Sequence, residues 1–146
     1  MTELDAGLVR RKLAVIVRNL AELAPVEGFS LAEYRRDRLR QKGVERLLQE
    51  TVEAAVDLNL HLLRIRGEAA AVATDYFTSF TELGRQGVIP AALAEQLAPS
   101  AGLRNRLVHQ YDEIDDAVVL RAVGEARRLF TAYVAAIERL VTAEGR

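Results

Sequence analysis

Apolar residues recur at alternating steps of three and four along three stretches of the chain, the spacing of helices that each bury one stripe. The first stripe is Val9, Leu13, Ile16, Leu20 and Leu23, which predicts a helix stopping before Pro25 and a turn over Pro25-Val26-Glu27-Gly28. Ser30, with Glu33 three residues on, forms a capping-box pattern that opens a second helix. That helix is long, with the stripe Val44, Leu48, Thr51, Ala55, Leu58, Leu62 and Ile65, a weak point at Gly43 and an end near Gly67.

Beyond the small-residue stretch Glu68 to Ala73, Thr74 or Asp75 can cap a short helix carrying Phe77, Phe80 and Leu83, which ends between Gly84 and Gly87. Pro90 suits the first turn of another helix, and Pro99 interrupts the pattern before a segment running from about Ser100 to His109. The third stripe, Val119, Val123, Ala126, Phe130, Tyr133, Ile137 and Leu140, belongs to a last helix starting near Asp115 or Asp116, whose carboxylates favour a positive helix end. Three long amphipathic helices and several shorter ones predict an all-α, up-and-down helical bundle of four to five helices. No internal repeat, low-complexity tract or linker divides residues 1–146, so a single domain is expected.

Composition adds limits rather than a function. Half the residues are hydrophobic and 28% are charged, with nine glycines and three prolines, a balance suited to a packed helical domain. The absence of cysteine removes disulfides, thiolate metal sites and cysteine nucleophiles. No apolar run reaches the roughly 18 residues a membrane span needs, and the N-terminus has no secretory pattern, so a cytoplasmic protein without membrane association is expected. With a formal net charge of −1, attraction to a nucleic acid would have to be local.

Two histidines leave few candidate chemical centres, and His109 is distinguished by its company in Arg104-Asn105-Arg106-Leu107-Val108-His109-Gln110-Tyr111. On a regular helix Asn105 and His109 lie about 40° apart and share a face, whereas Arg104 lies about 140° from His109. Either the helix frays or turns at His109, or the centre is composite and draws on the same segment of a second subunit across a two-fold axis; the dimer is favoured. The bland alternative is a histidine that merely ends a helix among solvated arginines.

The string RNRLVHQY resembles the Arg-x4-6-His motif of the HEPN superfamily in its HepT-like form, with tyrosine two residues after the histidine. The resemblance extends over roughly residues 44 to 140. Residues 44–63 resemble the family's long second helix, with Ala55, Asp57 and His61 in an Ala-x-Asp-x-x-x-His pattern. Residues 75–90 resemble its aromatic helix and Gly-Val-Ile turn, and residues 111–119 the entry to its last helix. It implies the toxin of a toxin–antitoxin system, a homodimeric, metal-independent endoribonuclease without cofactor. Its antitoxin would be a minimal nucleotidyltransferase that AMPylates the motif tyrosine. By the same resemblance Arg104 and His109 are the catalytic pair, Asn105 the polar residue beside them and Tyr111 the residue modified. The chemistry agrees: RNA supplies its own 2′-hydroxyl, so a proton-transferring imidazole and a fixed cation suffice.

Two further groups are candidates. Asp57 and His61, four apart on the second helix, share a face and either support the cleft or form a local helix pair; two ligands without a third do not make a metal site. Arg35, Arg36, Arg38, Arg40 and Lys42 form a basic run that is either a solvated face or a surface for RNA phosphates, with Arg106, or for the acidic face of the antitoxin. The main alternative to a ribonuclease is a non-catalytic nucleotide-binding or docking subunit of a nucleotidyltransferase.

Overall fold

The computed structural model describes residues 3–67, 75–110 and 112–144, which form seven helices and no strand. Three are long: α1 (Ala6–Glu27), α3 (Arg38–Ile65) and α7 (Asp116–Glu144). The short ones are α2 (Leu31–Arg35), α4 (Tyr76–Arg85), α5 (Ala91–Leu97) and α6 (Ser100–His109). The expected all-α bundle is present, with its segments cut more finely than the stripes indicate. None of the described helices is long and apolar enough to cross a membrane.

Local chemistry fixes most helix starts. Asp5, Asp37 and Asp75 each accept a hydrogen bond from the backbone N–H three residues on, and Ser30 and Glu33 complete the expected capping box. These backbone bonds to the charged form hold the Asp5, Glu33 and Asp75 carboxyls below their ordinary range. Asp75 is therefore the cap of α4; its alternative, Thr74, and the stretch 68–73 lie outside the described residues. Gly67 ends the turn after α3 at φ +77°, a conformation that suits glycine.

Three sequence expectations are corrected. α1 does not stop before Pro25 but runs through it to Glu27, capped by Gly28. A proline in the last turn removes one hydrogen bond, and burial of Val26 at 4% exposure holds the turn against the bundle. The long helix is not broken at Gly43 either. The break falls at Arg36-Asp37, because the Asp37 carboxylate caps the Arg40 N–H and starts a new helix. In α4, Phe80 and Leu83 are buried as expected, but Phe77 is half exposed; Ser79 turns inward in its place and meets Asn59.

α3 is the central helix. α1 runs antiparallel to it, since Asp5 meets His61 while Asn19 meets Leu47 and Thr51. α7 runs parallel to α3, with Leu48 and Val52 near Ala126 and Phe130, and Ala55 and Asn59 near Tyr133. Segments α4 to α6 are therefore the crossover that joins two parallel helices. Phe80, Phe130 and Tyr133 pack edge to face, with ring centroids 6.0 to 6.4 Å apart, where the crossover meets the frame. The Tyr133 hydroxyl lies 2.6 Å from Asn59 Oδ1 and 3.1 Å from the Ala55 carbonyl, and Asn59 Nδ2 donates to Ser79 Oγ at 3.1 Å.

This buried network ties α3, α4 and α7 together, so Tyr133→Phe leaves the Asn59 amide oxygen without its donor. Urea denaturation is expected to show a loss of about 1–3 kcal/mol; an unchanged midpoint would mean that water reaches the site.

Candidate active site

The motif lies on α6. Leu97 and Ala98 are buried at the end of α5, Pro99 turns the chain at φ −61°, and Ser100 Oγ donates back to the Leu97 carbonyl at 2.6 Å. From there α6 is regular through His109, and the Gln110 N–H donates to the Arg106 carbonyl at 2.8 Å. Ala101 and Leu107 are buried and Leu103 is half-buried, which sets the helix rotation against α3 and α4.

Arg104 faces α3 and α4. Its Nε and Nη2 donate to Glu53 Oε2 at 3.0 and 2.8 Å, and its guanidinium lies over the Tyr76 ring, 4.7 Å from the centroid. Nη1 donates to Asn105 Oδ1 at 3.3 Å, so the tip leans toward the neighbouring face. Asn105, Arg106 and His109 are exposed. Asn105 and His109 share the outward face, and Arg106 borders a cleft of about 210 Å³ between α6, α3 and α7, floored by Leu48, Val52 and Phe130. Helix continuity to His109 keeps the 140° divergence from Arg104 at the backbone level; only the bond to Asn105 carries Arg104 toward the His109 side. Tyr111 lies outside the described residues.

Asp57 and His61 face α1. Lys12 Nζ lies 2.7 Å from Asp57 Oδ2, and the Asp5 N–H donates to His61 Nε2 at 3.0 Å. The acceptor role assigns the His61 proton to Nδ1 in the neutral ring. Asp57 is one turn from Glu53 on α3, next to the Arg104 partner rather than to His109.

The basic run is divided in its roles. Arg35 pairs with Asp116 at 3.0 Å, Lys42 with Glu45 at 3.4 Å, and Arg40 lies over the Phe29 ring while its Nη2 donates to the Glu33 carbonyl. Arg36 and Arg38 are exposed at the α2–α3 corner, and Arg38 lines a polar groove with Asp112, the residue after Tyr111.

Sequence reasoning missed Glu53, Gln49 and Tyr76. A signal for the two on α3 exists: Gln49, Glu53 and Asp57 form a polar line at four-residue steps along the helix. The pairing with Arg104 spans 51 residues, and no local spacing encodes it.

Comparison with known proteins identifies the family and its fold. The family model "Ribonuclease HepT-like" matches residues 15–137. A tRNA nuclease HepT of Aphanizomenon flos-aquae is 38% identical over 145 residues, 99% of this chain and 97% of the relative. An mRNA nuclease HepT of Shewanella oneidensis is 27% identical, covering 90% of this chain and 96% of that protein. In structure, the chain superposes with a TM-score of 0.81 on a tri-AMPylated Shewanella oneidensis HEPN toxin in complex with an MNT antitoxin. That match is 26% identical and covers 93% of this chain and 99% of the other.

The contacts of His61 generate a local expectation. His61→Ala removes the acceptor for the first backbone N–H at the α1 cap, and amide exchange in that turn is expected to rise about fivefold, the equivalent of one net hydrogen bond of ~1 kcal/mol. Unchanged exchange together with lost RNA cleavage would place His61 in the cleft instead.

Proposed function

The chain belongs to the ribonuclease HepT-like family, and from that membership we propose that it is the toxin of a toxin–antitoxin pair, a metal-independent endoribonuclease whose cleft is completed by a second copy of the chain. One observation carries the composite cleft: α6 is regular to His109, with Arg104 turned toward Glu53 and His109 exposed on the outward face. A two-fold contact over that face would bring two copies of Asn105 and His109 together, with each Arg104 at the flank.

In such a cleft the RNA 2′-hydroxyl attacks the adjacent phosphorus, and the 5′-oxygen of the next nucleotide leaves. An imidazole is suited to take the first proton and return one to the leaving oxygen, the role given to His109. Arg104 neutralises the charge that builds on the equatorial phosphate oxygens. Arg106, Arg36 and Arg38 are the exposed cations left to hold flanking phosphates. The partner is a minimal nucleotidyltransferase antitoxin, a reading supported by the AMPylated state and the MNT complex of the Shewanella protein. AMP joined to Tyr111 would set an anion two residues from His109, where it excludes RNA by bulk and charge. A docking subunit that binds a nucleotide without cleaving is the second reading, and the exposure of His109 fits it equally.

In EDTA, the purified protein is expected to cleave single-stranded RNA and His109→Ala to lose at least about 100-fold in rate. Mixing Arg104→Ala with His109→Ala is expected to restore part of the activity, because a mixed dimer keeps one arginine and one histidine across the interface. Silence of the mixture would place each site within one subunit, and silence of the wild type with nucleotide binding would favour the docking subunit. Tyr111→Phe is expected to remain toxic in cells while escaping the co-expressed antitoxin; a folded but harmless variant would give Tyr111 a part in cleavage itself.

A further inference from the structure

A guanidinium stays charged at any physiological pH, so Arg104 needs no carboxylate to keep it ionised. Glu53 supplies direction instead. Its Oε2 takes the Nε and Nη2 of Arg104 along one edge, and Gln49 Nε2 donates to the same oxygen at 3.2 Å, fixing the carboxylate one turn along α3. Tyr76, the first residue of α4, covers the guanidinium face, and Asn105 takes Nη1. Edge, face and tip are thus held by α3, α4 and α6 respectively. Three of the five N–H groups of the guanidinium are used in this way. The remaining two, one on each terminal nitrogen, are the donors left for phosphate oxygens.

Charge alone argues against an acid here. Glu50, Glu53 and Asp57 line one patch of α3, and a carboxylate beside a surface for RNA weakens the attraction it needs. Its side chain is about one-quarter exposed, as is that of Arg104, so the pair is reachable by a polyanion. We propose that Glu53 is a positioning residue for RNA cleavage, aiming the two free N–H groups of Arg104 at the scissile phosphate without itself meeting any reacting atom. The inference rests on Arg104 being the charge-stabilising group of the reaction.

That role separates rate from binding. Steady-state cleavage of a fluorogenic single-stranded RNA oligonucleotide in EDTA is measured for Glu53→Gln, Glu53→Ala, Tyr76→Leu and Arg104→Ala. Glu53→Gln, which keeps shape and one acceptor, is expected to lower kcat about 10-fold, and Glu53→Ala about 100-fold, the scale of a misplaced catalytic group. KM for the RNA stays level or falls, because a negative charge has gone. Tyr76→Leu, which removes only the face contact, lowers kcat in the same way, and it and the near-isosteric Gln variant carry the test should Glu53→Ala unfold. An unchanged kcat in Glu53→Gln, a higher kcat, which would make Glu53 a plug that RNA displaces, or a loss confined to KM would each overturn the proposal. Full activity in Arg104→Ala would overturn the assignment of Arg104 beneath it, a result distinguishable from failure at Glu53.

Discussion

A ten-residue helix has one rotational setting in which its apolar side chains meet a core, and in α6 that setting is fixed by Ala101 and Leu107. At 100° per residue, Asn105 and His109 both lie about 160° from Leu107, and Arg104 lies about 60° from it. Burying Leu107 therefore sends the histidine outward and turns the arginine toward α3. The division between an arginine anchored at the flank and a histidine in the open follows from one packing requirement.

The choice of partner for Arg104 follows from the same setting. α3 is surrounded by α1, α4, α6 and α7, and the polar line Gln49-Glu53-Asp57 runs along it at four-residue steps. Asp57 serves α1 through Lys12, and Glu53 serves α6 through Arg104. A partly buried ion pair of this kind adds little net stability once desolvation is counted, but it has direction, which a hydrophobic pair of equal size lacks. Tyr76 adds a second constraint at right angles to the first.

The frame was legible because its signals are local. The stripes of α1, α3 and α7, the caps at Ser30 and Asp75, and the interruption at Pro99 each rest on residues within two turns of one another. What sequence missed depends on distant packing. Val26 carries α1 past Pro25, and Asn59 draws Ser79 inward at the expense of Phe77. The stripe drawn for α3 held only one of its buried faces, because Val52, Ala54, Val56 and Leu63 are covered by segments remote in the chain. At the candidate site, the spacing of Asn105 and His109 on one face was readable from helix geometry, whereas the anchor at Glu53 was not.

Because α3 and α7 run parallel, the chain needs a crossover between them, and the motif rides on that crossover rather than on the three-helix frame. Its outward residues contribute almost nothing to the core. Substitutions at Asn105 or His109 therefore meet little resistance from folding stability, and the fold can persist while the residues on that outward face change.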